Sequence, residues 1–386
     1  MYKISFVFVL ACIATSGSYA AEWSLTGSAN PSAEYDDNIF MRDENRQGDY
    51  HFQMSPTLVA TRKQENSESS LSLGVRVDRY EASQRLDQEN PFLRFNTQLQ
   101  QERANWGLAL SYVESSSRND AADDTGDFET NSTLTTSSIS PSFSYQLTER
   151  DTVSLNANYA EKESSTSDFS NSTNKSLSSS WQHQFNERLK GGVSLSASNN
   201  KSSSLSNSTD DDTYNLSLTS EYKFSEIWAI NGNAGVRQLD SRQTNILGVT
   251  DTNSSTGSSL GFTVSYSGEV DSANLSLSRS ISPSSSGEMN EQEKVALSWS
   301  RKLTETLSSH INASFQTTSS ALDEGADKRE NINFSPSLRW TLSPDTKLSL
   351  SYNYRQQKES NLGTRASSNA IMLAVSYDWH GFRVAR

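Results

Sequence analysis

The side chains with chemical potential in this sequence are its serines, its aspartates, four histidines and one cysteine. His51, His183, His310 and His380 lie far apart, and no H-x-x-x-H or H-E-x-x-H spacing sets two imidazoles on one helix face for a metal. The aspartates form two runs, Asp120, Asp123, Asp124 and Asp127, then Asp210, Asp211 and Asp212. Neither run has the ligand spacing of a calcium loop, so solvated loop charge is the reading they support. A Ser–His dyad is defined by geometry and not by residue type, so abundant serine carries no weight. The expectation is no catalytic residue, no cofactor and no metal.

The elements that must position these groups are strands. Along the chain, segments of about ten residues alternate apolar with small polar positions, the period of a strand with two unlike faces. Leu71, Leu73, Val75 and Val77 oppose Ser72, Gly74, Arg76 and Asp78. Trp106, Leu108, Leu110 and Tyr112 oppose Gly107, Ala109 and Ser111. No stretch shows helical periodicity. The pattern predicts about 18 strands, an even number as in bacterial outer-membrane barrels. The first is placed at 23–35, the second at 50–62 and the last at 369–379.

Connection length follows strand parity. Thr148-Glu149-Arg150-Asp151, Asn186-Glu187-Arg188 and Ser343-Pro344-Asp345 are short, whereas 36–49, 115–133, 199–213, 238–257 and 282–293 are long and polar. Short turns at one end and long loops at the other are the plan of a transmembrane antiparallel up-and-down β-barrel, with periplasmic turns and extracellular loops. Aromatics gather near both ends: Phe185, Phe224, Trp228, Trp340, Tyr377 and Trp379 by the short turns; Tyr35, Tyr80, Tyr112, Tyr159, Phe315 and Tyr354 by the loops. Two belts of amphipathic rings mark two headgroup levels. In lipid no sheet edge stays open, so the last strand must pair with the first.

Composition fits that plan. The chain of 386 residues is 33% hydrophobic, with a formal charge of −13. That acidity argues against a general nucleic-acid binder. A barrel needs apolar side chains on one face only, which explains a mean hydropathy of −0.67 without disorder. Residues 1–20 read as a secretory signal peptide: Lys3, an apolar run from Ile4 to Ala14, and Ser18-Tyr19-Ala20 before the cut. The one cysteine, Cys12, lies inside it, so the mature chain, 21–386, has no thiol chemistry. The expected location is the outer membrane of a Gram-negative cell.

The face opposite the apolar one is Ser, Asn, Thr, Gly and Ala with scattered charge. Candidate lumen residues are Arg76, Asp78, Lys190, Arg237, Arg339, Lys347, Arg355 and Asp378. This face is either a conduit for a polar solute, an inert wet wall, or the lining of a plugged lumen. Few aromatics point inward, so no stacking track for a sugar is evident. His51 and His310 fall on the inner face and His183 on the outer.

One stretch is more specific. Pro31-Ser32-Ala33-Glu34-Tyr35-Asp36-Asp37-Asn38-Ile39-Phe40 closes the first strand, and Ser55-Pro56-Thr57-Leu58 follows on the second. Tyr35, Asp36, Asp37 and Asn38 form a strand-exit motif of one belt aromatic and three turn formers. This segment resembles a family of outer-membrane β-barrels associated with exopolysaccharide biosynthesis and export, found with exosortase (PEP-CTERM) systems. The local resemblance covers about 30 residues and is a motif match. It implies passage of an exopolysaccharide and supplies no catalytic residues. Implied partners are outer-membrane lipid and lipopolysaccharide, the barrel-insertion machinery, periplasmic polysaccharide-export proteins and the polysaccharide. A general diffusion porin and a non-conducting surface scaffold remain as alternatives.

Overall fold

A computed structural model describes residues 21–167, 169–205, 207–322, 328–360 and 363–385. The expected signal peptide lies outside the described residues. The strands are β1 (Glu22–Ala29), β2 (Ser32–Asp36), β3 (Asp49–Met54), β4 (Thr57–Lys63), β5 (Ser67–Tyr80), β6 (Gln88–Gln100) and β7 (Ala104–Ser116). They continue as β8 (Thr133–Gln146), β9 (Asp151–Ser164), β10 (Asn171–Gln184), β11 (Leu189–Ser203), β12 (Asn207–Lys223), β13 (Trp228–Asn245) and β14 (Thr250–Ser267). The last are β15 (Asp271–Pro283), β16 (Met289–Lys302), β17 (Leu307–Ser320), β18 (Arg329–Ser343), β19 (Thr346–Glu359) and β20 (Thr364–Ala385). One helical turn, α1 (Ser117–Asp120), follows β7.

These segments form one antiparallel sheet closed on itself. Proline explains why there are 20 segments but 18 staves. Pro31 separates β1 from β2, and Ser55-Pro56 separates β3 from β4; a proline has no N–H for the ladder. Both halves of the first stave pair with β20, Glu22 opposite Ala385 and Asp36 opposite Ala370. The expected closure of first strand on last is therefore present. It leaves no row of open backbone groups for lipid, each of which costs several kcal/mol there. Gly381 makes a bulge in this seam: its φ is 55°, and a Cβ there would overlap the Leu25 carbonyl.

The alternation holds. Leu73, Trp106, Leu155, Leu216, Leu277 and Leu350 are exposed on the outer face. Trp23, Phe185, Trp228, Trp340 and Tyr377 are exposed near the short turns, and Tyr35, Tyr50, Tyr214 and Phe315 near the loops. Above the upper ring level, outward side chains turn polar: Tyr112 Oη donates to Glu114 at 2.5 Å and Tyr354 Oη to Gln356 at 3.0 Å. An aromatic whose hydroxyl reaches a charged or amide neighbour suits a headgroup level.

Three expectations need correction. The strands run further outward than read, so the loops shrink to 37–48, 117–132, 246–249 and 284–288. Ser- and Asn-rich hairpins above the aromatic level have no apolar alternation to detect, yet their backbones still pair. Asp210, Asp211 and Asp212 consequently lie within β12, not in a loop. Tyr80 is not a belt residue: it is on the inner face, stacked on His51 with centroids 4.4 Å apart. Phe92 also turns inward, covering Gly74.

Candidate functional site

The barrel interior is built by the polar half of each alternating strand. On the β7–β12 wall the lining groups pair with one another: Ser111 with Ser138 at 2.7 Å, Ser140 with Asn158 at 2.8 Å, and Ser194 with Ser217 at 2.7 Å. All eight candidate lumen residues fall on the face opposite the apolar one. Two pairs of them meet. Arg76 Nε lies 3.0 Å from Asp78 Oδ2, and Lys347 Nζ lies 3.3 Å from Asp378 Oδ2. The others take different partners: Lys190 with Glu221 at 3.7 Å, Arg237 with Glu291, and Arg355 with Asp36. Arg339 stands opposite Ser308 and Ser349 in register. The charges are thus largely spent on pairs, and the wall between them is neutral.

The chemically decisive feature lies across this lumen. The connection 117–132, between β7 and β8, folds inward as a strap. Ser116 caps its one helical turn, its side chain accepting from Arg118 N at 3.2 Å. Ala121 and Phe128 then bury against Met41 and Ala366, the latter on β20. Arg355 places its guanidinium 5.6 Å from the Phe128 ring centroid. Polar ties carry the strap to the far wall: Gln292 Nε2 donates to Asp123 O at 2.8 Å, Asn331 Nδ2 to Ala122 O at 2.6 Å, and Gln357 Nε2 to Gly126 O at 3.1 Å. Those residues sit on β16, β18 and β19, so the strap joins opposite sides of the barrel.

A second insertion meets it. The β15–β16 tip, 284–288, bends over the lumen, with Ser284 and Ser285 buried. Asp124 accepts the Ser285 backbone N–H at 2.8 and 3.0 Å as well as the Ser285 hydroxyl. Lys162 of β9 donates to Ser285 Oγ at 2.9 Å, and Thr209 of β12 donates to Gly287 O at 2.8 Å. Strap and tip therefore latch to each other at the loop end of the barrel.

Two of the strap's carboxylates are held below their ordinary range by local hydrogen bonds. Burial alone would push the Asp127 carboxyl up, but the Thr130 side chain, with the N–H groups of Glu129 at 2.8 Å and Thr130 at 3.2 Å, holds it below the ordinary range. Glu129 is lowered by its hydrogen bond from Arg42 at 2.6 Å.

The strand-exit motif anchors the neighbouring loop. Tyr35 faces outward beside Tyr50, with centroids 4.9 Å apart. Asp36, 2% exposed, accepts Asn38 N at 2.8 Å and Ser368 Oγ at 2.5 Å. Asp37 accepts Asn369 N at 2.7 Å, and Asn38 Nδ2 donates to Ser367 O at 2.9 Å. These bonds tie loop 37–48 to β20. Arg118 Nη2 then donates to Ile39 O at 2.8 Å, so the motif supports the strap.

Neither Asp124 nor Phe128 is marked as functional by the sequence pattern. The Asp-rich run reads as solvent-facing charge, and only a lone aromatic, Phe128, among Asp, Gly and Thr hints that the loop is buried.

Nucleophile geometry is equally telling. The sequence contains a G-x-S-x-G match that the strand reading passes over, Gly257-Ser258-Ser259-Leu260-Gly261. Ser259 lies mid-strand in β14, donating to Asn215 Oδ1 at 2.8 Å, not on the strand-to-helix turn that such a nucleophile needs. His310 Nε2 is 3.2 Å from Ser308 Oγ, with no carboxylate bonded to the imidazole among the described residues. His51 has a carboxylate, Asp78 at 2.8 Å, but its ring packs on Tyr80. Among the described residues no three His, Asp or Glu gather as metal ligands.

Closed topology, a lipid-facing apolar surface and a polar lumen define the outer-membrane β-barrel fold. No family model matches the chain, and no curated protein matches it. Solved structures do. The chain is similar to the FrpB iron transporter from Neisseria meningitidis, with a TM-score of 0.54, 9% identity, and 92% of this chain and 82% of that one covered. It is similar to Pseudomonas aeruginosa OpdL, with a TM-score of 0.50, 11% identity and coverage of 94% and 99%. The siderophore receptor PiuA from Acinetobacter baumannii gives 0.50, 8%, 94% and 82%. At such identities the likeness is one of fold.

Proposed function

We propose that the protein is an outer-membrane conduit for a hydroxyl-rich solute, with an exopolysaccharide as cargo, and that the strap closes its outer mouth at rest. The observation that carries this reading is the strap itself, latched at Asp124–Ser285 across a lumen whose wall is neutral and polar. Hydroxyl and amide side chains exchange hydrogen bonds with a sugar as readily as with water. The paired charges leave no single-sign field to select an ion. The strand-exit motif adds the resemblance to export-associated barrels. Delivery by a signal peptide, insertion by the barrel machinery, contact with lipopolysaccharide and hand-over from periplasmic export proteins belong to the same reading.

A diffusion porin for small polar solutes is the second reading. The inserted strap favours it, because a narrowed mouth passes small molecules without opening. A deletion strain separates the two. Lost extracellular polysaccharide with intact small-sugar uptake supports export. Normal secretion with slowed uptake supports the porin.

A further inference from the structure

On the β7–β12 wall three pairs of lining groups bond to each other, Ser111–Ser138, Ser140–Asn158 and Ser194–Ser217, whereas one patch opposite them holds no such pair. In register across β15 to β18 lie Asn274, Ser298, Asn312 and Ser335, with Ser314 and Asn333 one inward step higher. None of these six side chains hydrogen-bonds to another described residue, and Asn274, Ser298 and Asn312 are exposed to the lumen. They line a concavity of about 510 Å³.

The next inward step up is Lys294–Gln316–Asn331, and that is where the strap docks. Asn331 Nδ2 holds Ala122 O at 2.6 Å, and Lys294 Nζ lies 3.7 Å from Asp123 Oδ1. The strap is thus the ceiling of the patch, and Lys294 belongs to both.

The chemistry narrows the ligand. Each Asn offers one acceptor and two donors, and each Ser offers both roles, the complement of vicinal hydroxyls. The concavity is lined by no carboxylate to hold a cation and no aromatic face for stacking. Its one cation already faces Asp123, so an anionic ligand has no free charge to meet.

We infer that this patch is a binding subsite for a neutral glycan segment, and that Lys294 couples its occupancy to the strap. A sugar hydroxyl that takes Lys294 Nζ draws it from Asp123 and loosens the ceiling. The inference rests on the barrel being a path for a hydroxyl-rich solute, and it names which wall does the recognising.

The test uses the folded full chain in detergent, its fold checked by heat-modifiable migration, titrated calorimetrically with maltohexaose. The wild type binds. Combining Asn312→Ala with Asn333→Ala weakens binding about tenfold, the effect of losing two neutral hydrogen-bonding side chains. Asn158→Ala, on the opposite wall where its amide oxygen is already held by Ser140 at 2.8 Å, leaves binding unchanged. No binding by the wild type, or an equal loss from Asn158→Ala, overturns the site. For the coupling, Ala122→Cys provides a strap thiol for maleimide labelling. Maltohexaose speeds labelling with Lys294 present and not with Lys294→Met; equal rates with and without the sugar overturn the coupling. Because both readouts are made without any transport, a barrel that conducts but does not bind loses the patch alone, and one that binds but never conducts loses the conduit.

Discussion

Asp124 and Ser285 stand 161 residues apart in the chain and share a carboxylate–amide contact of 2.8 Å inside the barrel. The contact joins two connections that leave the sheet on opposite sides. Asp124→Ala would leave the Ser285 N–H without an acceptor and remove the carboxylate 4.0 Å from Lys162. An unmade buried hydrogen bond costs about 1–3 kcal/mol, so the open population rises about ten- to a hundredfold. Channel open probability measures this, and Asp124→Asn, which keeps an acceptor, falls between.

Phe128, 5% exposed, is the strap's apolar anchor against Met41, Ala121 and Ala366. Phe128→Ala removes a buried ring, a change worth about 3–5 kcal/mol in a packed core. Here the loss falls on the strap and not on the sheet. Hydrogen exchange speeds up across 117–132 while the strands stay protected and the heat-modifiable gel shift is unchanged.

Asp127 sets the acid response. Its carboxyl is held below the ordinary range, so its contribution to docking is fully present above the free-carboxylate value and lost as pH falls through the lowered one. Glu129, lowered by Arg42, acts in the same direction. The share of strap closure held by these two carboxylates is therefore present at neutral pH and lost in acid, as pH falls below the free-carboxylate value. Asp127→Asn removes its share of that acid step and leaves the share of Glu129. Recordings across the range check it.

Asp36 ties the closing seam to the first loop. Asp36→Ala strips Arg355 of its partner and leaves Asn38 N and Ser368 Oγ without their acceptor. The expected loss is about 1–3 kcal/mol, read as a lower urea midpoint in micelles, with Asp36→Asn retaining part of it.

How far the sequence reveals this molecule depends on the range of the interactions. The period-2 pattern at Leu71–Val77 records whether a side chain meets lipid or water, a local matter, so face and strand order were legible. Pro31 and Pro56 were visible, but a stave interrupted without losing its register is a property of the sheet. The hairpin of Asp210–Asp212 escaped because both of its faces are wet. The Asp124–Ser285 latch escaped for a different reason: an aspartate in a polar run looks the same whether it faces solvent or a buried amide across the barrel. The lumen residues were legible as a face, while their pairing, such as Lys190 with Glu221, required the register.

A polar channel closed by residues 117–132 has an electrical signature. Single-channel current in a planar bilayer reads it, comparing wild type with a chain in which 119–127 are replaced by a short Gly-Ser link. Small or rare openings are expected in the wild type and a large, steady conductance in the shortened chain. Equal conductance in both, or none from a correctly folded shortened barrel, would contradict it.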